Sequence, residues 1–237
     1  MRTWKNRPNH PLTRMHRHGP LADLIRWLRR PSEGTAGIQK LGHRNYVGGR
    51  WDEIGDLQFN FLVAHGLEPQ SVLLDIACGS LRLGCRAIPY LAPGHYLGIE
   101  KEGELLRAGL EQELDPALVQ RQRPQLVVDD SFAFEKLGKV ADLAMAHSLF
   151  THLPPEAIGL CFQRLRPWLQ AGGVFYATYF PTAQTRRQSA RGHDHGYFAY
   201  TDAEIRTFGD DHGFHCDLLG DWGHPRGQVM AAYRPRR

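Results

Sequence analysis

Short apolar runs alternate with longer stretches of mixed polarity along most of the chain. The first five runs contain few polar positions and read SVLLDIA, HYLGIEK, PQLVVDD, VADLAMAHS and GVFYATYF. Runs of this kind are typical of strands in a parallel sheet that is covered on both faces. The stretches between them are long enough for helices, so the alternation predicts an α/β fold.

Two further apolar runs, FHCDLLGDW and GQVMAAYRP, follow near the end of the chain. The linker between them is GHPR, which is too short for the crossover that parallel strands need. We therefore expect these two strands to be antiparallel neighbours. With the first five runs they predict a mostly parallel seven-stranded sheet with a C-terminal antiparallel strand pair.

Local signals mark the ends of several helices. Thr201 and Glu204 have the spacing of a capping box, and Pro154 and Pro155 stand before the helical pattern EAIGLCFQRL. Another helix is predicted before the first strand, where Gly66 is placed to end it. Its apolar residues recur at helical spacing at Trp51, Ile54, Leu57, Phe61 and Leu62.

The composition indicates one main domain. The chain has 237 residues, of which 42% are hydrophobic and 23% are charged. Such a chain can bury one substantial core, so we expect a soluble globular protein with an appendage. No apolar stretch approaches the roughly 18 residues of a membrane-spanning helix, and we expect no signal peptide. We therefore predict a cytoplasmic protein without a membrane span.

The cysteines give no sign of metal or redox chemistry. Cys78, Cys85, Cys161 and Cys216 show neither C-x-x-C spacing nor the density of a disulfide framework. We expect reduced thiols that act as small core residues. No metal site is predicted.

Positive charge is concentrated near the N-terminus, although the net charge of the chain is only +4. Residues 1 to 30 are rich in arginine and contain a single acid, Asp23. Such an arm suits an anionic surface such as nucleic acid, but we favour a solvated, partly disordered tail. Its stretch from Leu21 to Arg30 would form a short helix that docks on the domain rather than on lipid headgroups. We predict an arm and connector over residues 1–45 and one folded domain over residues 46–237. The oligomeric state is not indicated.

The first predicted strand ends in a turn of small residues. VLLDIA is followed by CGS and then by LRLGCRAIPYL, whose apolar residues would face the sheet. Ligands of open α/β sheets bind where strands end, and Gly79 would let the backbone approach a ligand closely. Because a helix start also offers free N–H groups, we expect the turn to hold a polar ligand.

This turn and its surroundings resemble the class I S-adenosylmethionine-dependent methyltransferases. The similar members are bacterial and of the small-molecule type, with W-D-E-I-G, F-L-x-x-x-G-L-x-P and V-L-L-D-I-x-C-G-S-L-R. The resemblance extends from about residue 46 to residue 233. It is carried, in the family's order, by Asp75 to Gly79, Glu100, Asp129 with Asp130, and AHSLFTHLPPE. Each of these signals is weak alone, but their occurrence in the family's order makes the resemblance specific. The resemblance implies a Rossmann-like methyltransferase fold with S-adenosyl-L-methionine as cofactor.

The resemblance also implies roles for single residues. The backbone from Ala77 to Gly79 would lie along the methionine part of the cofactor, and Asp75 would order the turn or reach the amino group through water. Alternatively, Asp75 caps the next helix. Glu100 would accept hydrogen bonds from both ribose hydroxyls, which requires an acceptor-only group. The predicted cofactor-binding residues are Asp75, Ala77, Cys78, Gly79, Glu100, Asp129, Asp130, Ser131, Phe132, His147, Arg50 and Trp51.

Two regions would frame the cofactor. At the end of the third strand, Asp129 or Asp130 would take the adenine amino group, and the residues alone do not decide between them. The segment before the first strand would close over the cofactor, with Tyr46, Arg50 and Trp51 as candidates for the rim. Alternatively, the apolar residues at helical spacing in this segment, from Trp51 to Leu62, would only pack in the core.

The sequence departs from the family's usual D-x-G-x-G-x-G pattern. Ala77 and Leu81 stand at the first and third glycine positions, and Gly79 remains. Ala77 requires a backbone φ acceptable to a residue with a Cβ; with an ordinary φ, Ala77→Gly would slightly destabilise the protein. Arg82 would hold an acidic ligand group or form a surface ion pair. A nicotinamide-binding protein is the nearest alternative enzyme, but G-x-G-x-x-G is not matched.

The residues after the fourth strand bear on the acceptor of the methyl group. AHSLFTHLPPE lacks the Asn/Asp-Pro-Pro-Tyr/Phe signature of base and glutamine methyltransferases, and it lacks the acid of the magnesium-dependent catechol type. We therefore expect methylation of an oxygen or nitrogen on a small molecule, such as a sugar or a natural-product intermediate. His147 is the main candidate for acid/base or acceptor-orienting work, with His152 and Tyr179 as further catalytic candidates.

Two other functions stay open at this stage. An RNA or protein methyltransferase would use the basic arm and TRRQSARGHDHG for anionic contacts, although nucleic acid is not the partner we favour. A non-catalytic module that binds the cofactor or a partner is suggested by the altered glycine motif.

Overall fold

The structure is a computed structural model that describes residues 33–185, 191–192, 194 and 198–236. The predicted basic arm and its helix from Leu21 to Arg30 lie outside the described residues. So does most of TRRQSARGHDHG. Residues 34–46, most of which the sequence analysis assigned to the arm and connector, form two helices, and Ile38 is buried with 3% of its surface exposed. The domain boundary at residue 46 stays a prediction.

Helices and strands alternate along the described chain as the apolar pattern predicts. The helices are α1 (Gly34–Leu41), α2 (His43–Tyr46), α3 (Trp51–Ala64), α4 (Gly84–Tyr90), α5 (Gly103–Ala108), α6 (Pro116–Gln122), α7 (Pro155–Leu165) and α8 (Asp202–Asp210). The strands are β1 (Leu73–Ile76), β2 (Tyr96–Glu100), β3 (Gln125–Val128), β4 (Ala141–Ala146), β5 (Leu169–Pro181), β6 (Ala199–Tyr200), β7 (Phe214–Asp221) and β8 (Val229–Pro235).

The described strands form one sheet in the order β3-β2-β1-β4-β5-β8-β7, and the short β6 pairs with β5. Strands β1 to β5 are parallel neighbours, whereas β8 is antiparallel to both β5 and β7. The seven predicted strands and the antiparallel C-terminal pair are thus confirmed. The sequence analysis missed β6, because two residues are too few to show a periodic pattern.

Strand β1 lies at the centre of the parallel part. The chain runs from β1 outward to β2 and β3 on one side, then returns to β4 and β5 on the other. All four residues of β1 are buried, as expected for a strand with neighbours on both edges and cover on both faces. Reversal of the strand order beside β1 creates a crevice at its carboxyl end, which is where open α/β sheets bind ligands.

Each face of the sheet has its own apolar core. On one face, Phe162 of α7 is fully buried, and its ring meets the ring of Tyr233 edge-on at 4.7 Å. On the other face, Leu62 of α3 packs with residues of α4 and β2. The helix stripe before β1 therefore serves core packing through Trp51, Ile54 and Leu62, while Leu57 and Phe61 are partly exposed.

The predicted helix ends are confirmed at α7 and α8. Thr201 Oγ1 accepts from the N–H of Glu204, and the Glu204 carboxylate accepts from the N–H of Thr201, which completes a capping box. Helix α7 begins at Pro155, where the missing N–H costs no hydrogen bond. Among the described residues, none of the helices is long and apolar enough to cross a membrane.

Candidate functional site

A cavity of about 840 Å³ opens at the carboxyl ends of β1, β2 and β4. Its size lies in the range of sites for small molecules and cofactors. Most of the predicted site residues line it, namely Asp75, Ala77, Cys78, Gly79, Glu100, Asp129, Asp130, Phe132, His147 and His152. Tyr46, a candidate for the rim, also lines it.

The turn after β1 keeps the backbone of a glycine-rich turn without all of its glycines. Ala77, Gly79 and Leu81 have φ values of 58°, 57° and 65°. All three lie in the left-handed region, which is unfavourable for residues with a Cβ. The condition of an ordinary φ at Ala77 is therefore not met. Leu81 compensates for its strained backbone by complete burial of its side chain.

Glu100 ties the end of β2 to this turn. Glu100 is buried with 6% of its surface exposed, and its carboxylate accepts from the N–H of Gly79 at 2.9 Å and from the N–H of Glu102 at 3.0 Å. Burial raises the pKa of Glu100, and the backbone N–H donors oppose this effect. Each carboxylate oxygen still has a lone pair available, so the group can accept further hydrogen bonds from a ligand in the cavity.

Asp75 is buried beneath the turn, and only 3% of its surface is exposed. Its Oδ2 accepts from the hydroxyl of Tyr96 at 2.6 Å. Burial raises the pKa of Asp75 to about 7, although the bond from Tyr96 opposes the rise. Helix α4 receives no side-chain cap at its start, so the alternative role of Asp75 as a helix cap is not found.

The two aspartates at the end of β3 differ in their contacts. Asp129 Oδ1 accepts from the backbone N–H groups of Ser131 at 2.7 Å and Ala133 at 3.0 Å, and Oδ2 accepts from Lys136 at 2.7 Å. Although burial raises it, the pKa of Asp129 is held below its usual range by Lys136 and these N–H groups. Asp129 therefore organises its own loop, whereas Asp130 is exposed at the cavity.

His147 has contacts at both ring nitrogens. Nδ1 lies 3.3 Å from Nη2 of Arg82, and Nε2 lies 3.1 Å from Nε2 of His224. Burial, and then the positive charge of Arg82, hold the pKa of His147 well below its usual value. Because Arg82 can only donate, Nδ1 of His147 accepts from it, while Nε2 is in contact with His224, whose own Nδ1 accepts from the N–H of Arg226. Both ring nitrogens are thus engaged within the protein, so this arrangement fits an orienting role better than that of a base.

Arg82 is buried rather than paired at the surface. Its exposed fraction is 8%, and Nη1 donates to the carbonyls of Val47 at 3.3 Å and Gly49 at 3.0 Å. Burial, and then the charge of Arg226, lower the pKa of Arg82 to about 10. The surface ion pair considered from the sequence is therefore wrong, and the side chain instead faces the cavity.

Four predicted residues do not line the cavity in the described part of the chain. Arg50 pairs with Glu53, and 7% of Trp51 is exposed where it packs on the ring of His43. Ser131 donates to Asp129, and the buried hydroxyl of Tyr179 donates to Asp202 at 2.8 Å. The structure thus places Tyr179 and the rim candidates Arg50 and Trp51 away from the site.

The sequence analysis missed several residues of the site. Arg226 and Gln228, from the linker between β7 and β8, line the cavity, and Gln58 does so from α3. Asp194 also lines it and joins its two sides, because its carboxylate accepts from the hydroxyl of Tyr46 and from Lys101. Burial raises the pKa of Asp194, but Lys101 and Tyr46 bring it down to about 2. Asp194 lies in TRRQSARGHDHG, which the sequence analysis considered for an RNA or protein acceptor, and no pattern in GHPRGQ marked Arg226 or Gln228 as site residues.

Several polar atoms of the residues lining the cavity have no hydrogen-bond partner in the described part of the chain. Gln58 Oε1, Ser80 Oγ and Arg82 Nε are buried without a hydrogen bond, and all three residues line the cavity. Buried polar groups are nearly always satisfied, because leaving one unpaired costs about 1–3 kcal/mol. A bound polar ligand would supply partners for such atoms.

Comparisons with known proteins agree with the fold. No family model matches the chain. Among solved structures, magnesium protoporphyrin IX methyltransferase (ChlM) from Synechocystis PCC 6803, with bound S-adenosylmethionine, is 18% identical with a TM-score of 0.60 over 91% of each chain. The CcbJ methyltransferase from Streptomyces caelestis is 16% identical with a TM-score of 0.58, covering 80% of this chain and 98% of CcbJ.

A third similar structure is the glycopeptide N-methyltransferase MtfA complexed with S-adenosylhomocysteine. It is 16% identical with a TM-score of 0.59, covering 92% of this chain and 98% of MtfA. These likenesses show that the chain has the Rossmann-like fold of the class I S-adenosylmethionine-dependent methyltransferases.

Proposed function

We propose that this chain is a class I S-adenosylmethionine-dependent methyltransferase with a small-molecule acceptor. The observation that carries the proposal is the carboxylate of Glu100, buried at the end of β2 and joined to the turn after β1 through the N–H of Gly79. A carboxylate in this position, with lone pairs to spare, fits the two hydroxyl donors of a ribose. The unpartnered polar atoms around the cavity support a polar ligand.

In this proposal the cofactor extends from the end of β3 toward the end of β4. Asp130 takes the adenine amino group, because Asp129 already holds its own loop. Phe132 lies beside the ring, Glu100 binds the ribose, and the backbone at Gly79 faces the methionine part. When bound, S-adenosylmethionine supplies a methyl group on a positively charged sulfur, which is a good leaving group.

The residues of the chain then have two tasks. They align a lone pair of the acceptor oxygen or nitrogen with the methyl carbon, and they receive the proton that the acceptor releases. We assign acceptor orientation to His147, because its ring nitrogens are engaged by Arg82 and His224. We assign proton acceptance to His152, which lines the same cavity and is half-buried.

Two observations support a small acceptor. The cavity of about 840 Å³ is bounded on several sides by α3, the turn after β1 and the loop after β4. Among proteins of similar fold, ChlM is named for magnesium protoporphyrin IX and MtfA for a glycopeptide. We therefore propose methylation of an oxygen or nitrogen on a metabolite or natural-product intermediate.

Mass spectrometry of the purified protein tests the proposal directly. We expect S-adenosylmethionine or S-adenosylhomocysteine to co-purify, and a screen of small acceptors to show methyl transfer. Failure to bind either molecule in calorimetry would refute the proposal. Tight binding without turnover on any acceptor would favour the non-catalytic module, and RNA binding with a steep salt dependence would favour RNA as acceptor.

A further inference from the structure

Arg82 is a buried positive charge in the wall of the cavity, and no acid within residues 33–185 or the other described segments forms an ion pair with it. Its hydrogen bonds go to neutral acceptors, the carbonyls of Val47 and Gly49 and the ring of His147. Its Nε has no partner, and it forms no ion pair with an acid of the described residues. Burial of a charge is strongly unfavourable unless an opposite charge accompanies it.

A second arginine stands beside it. Arg226, from the linker between β7 and β8, donates to the carbonyl of Gly48, and its charge lowers the pKa of Arg82. The carbonyls of three successive residues, 47 to 49, thus position both guanidinium groups. Gly48 has a φ of 97°, and a Cβ there would lie 2.7 Å from Nη1 of Arg226. The turn at residues 47–49 thus binds two groups of like charge beside one cavity.

The surrounding groups do not neutralise the two arginines. Asp75 attracts Arg82, but burial raises the pKa of Asp75 to about 7, so it is incompletely ionised at neutral pH. Burial keeps His147 and His224 uncharged, and the pKa of His224 falls to about 4. The cavity therefore has an excess of positive charge on this side.

We propose that the methyl acceptor carries an anionic group, a carboxylate or phosphate oxyanion, that binds to Arg82 and Arg226. This inference rests on the proposed function and specifies the substrate class of the same site. An oxyanion there would give Arg82 Nε a partner and would compensate both charges. Arginine suits this task because its planar group presents paired donors to an oxyanion.

The position of the arginines favours the acceptor over the cofactor as the source of the anion. The residues assigned to ribose and adenine, Glu100 and Asp130, follow β2 and β3, on one side of β1. Arg226 precedes β8, which lies on the opposite side, beyond β4 and β5. Arg82 follows β1 and contacts His147 at the end of β4, and Arg226 reaches the same turn from the side of β8, so the pair lies toward the half of the crevice that the adenosine part of the cofactor leaves open.

Calorimetry with acetate and inorganic phosphate as probes tests the inference. Protein saturated with S-adenosylhomocysteine should bind at least one of these anions, and Arg82→Met and Arg226→Met should each weaken that binding by about tenfold or more. The exposed Arg121→Met, on α6 and away from the cavity, is the matched control and should change nothing. Arg226→Met replaces an exposed side chain, so it also covers the case in which Arg82→Met fails to fold.

The same variants distinguish the two sources of the anion. If the acceptor supplies it, affinity for S-adenosylmethionine stays within about threefold of the parent in Arg226→Met. If Arg82→Met and Arg226→Met weaken the binding of S-adenosylmethionine but not that of its decarboxylated analogue, the arginines bind the carboxylate of the cofactor and the inference is overturned. Binding of S-adenosylhomocysteine without binding of either anion also overturns it, while leaving the proposed function intact. Loss of all cofactor binding in the parent protein would remove both.

Discussion

At the scale of single residues, the turn after β1 stores backbone strain at Ala77. Its φ of 58° is a glycine conformation held by a residue with a Cβ. Ala77→Gly should therefore raise the free energy of unfolding by about 1 kcal/mol, because relief of the strain exceeds the extra entropy of the unfolded chain. Urea denaturation measures this change.

Leu81→Gly provides the comparison for Ala77→Gly, since Leu81 has a similar φ of 65° but a fully buried side chain. We expect it to destabilise the protein by roughly 2–5 kcal/mol, because the loss of a buried leucine outweighs the relief of strain. A loss of stability in Ala77→Gly would show that the turn is not strained.

Glu100 has a structural task and a binding task at once. Glu100→Ala leaves the N–H groups of Gly79 and Glu102 without partners, so it should lower the free energy of unfolding by about 1–3 kcal/mol. It should also weaken the binding of S-adenosylmethionine by about tenfold or more, as measured by calorimetry on the folded variant. The exposed Glu111→Ala should leave the affinity unchanged. Parent-like affinity in Glu100→Ala would reject the assignment of the ribose to this carboxylate.

Asp75 makes stability depend on pH in the direction opposite to an ordinary carboxylate. Its pKa is about 7 in the folded state, above that of an unfolded chain, so the folded state binds more protons between about pH 4 and pH 7. The free energy of unfolding therefore falls as pH rises through this window, by at most about 1.4 kcal/mol per pH unit from this group.

Asp75→Asn should remove this contribution, because an amide does not titrate while its carbonyl still accepts from Tyr96. Denaturation curves of parent and variant at pH 4 to 7.5 measure the difference, without cofactor. A constant difference across the window would mean that Asp75 titrates normally.

At the scale of elements, the end of β4 and the linker between β7 and β8 meet through His147 and His224, whose Nε2 atoms are 3.1 Å apart. Both residues have lowered pKa values, about 4 for His224. Below pH 6.5 the unfolded chain binds protons that the folded chain does not, so these residues lower the stability as pH falls from 6.5 toward 4.

A variant with both His147→Gln and His224→Gln should lose this acid sensitivity. Denaturation between pH 7 and pH 4 measures the difference in the free energy of unfolding between this variant and the parent. His65→Gln, at an exposed histidine on the far end of α3, serves as control. If the double variant keeps the acid dependence of the parent, the two histidines are already charged in the folded protein.

At the scale of the whole molecule, helix α1 precedes the predicted domain start at residue 46 and contributes buried surface. Helix α1 buries Ile38, and the N–H of Gly34 donates to Asp194 at 3.1 Å beside the cavity. A chain that begins at residue 33 should therefore be more stable than one that begins at residue 46, by about 1.5–3 kcal/mol from Ile38 alone. Thermal and urea denaturation compare the two, and equal stabilities would support the boundary at residue 46.

The two arginines that give one side of the cavity its positive charge come from distant parts of the chain. Arg82 follows β1 and Arg226 precedes β8, and they share the turn at residues 47–49. Neither position shows a charge cluster in the sequence, where the basic residues concentrate in the N-terminal arm. The local excess of positive charge therefore depends on how the strands are ordered in the sheet.

The sequence by itself determined the order of strands and helices, the antiparallel C-terminal pair and the turn after β1, because hydrophobic periodicity and helix caps act over a few neighbouring residues. The resemblance singled out Glu100, and the structure places its carboxylate at the end of β2 in the cavity. The tertiary structure alone decided that both nitrogens of His147 are engaged, that Arg82 is buried, and that Tyr179 points away from the cavity. Those properties arise from contacts between residues far apart in the chain, and such contacts leave no periodic pattern in the sequence.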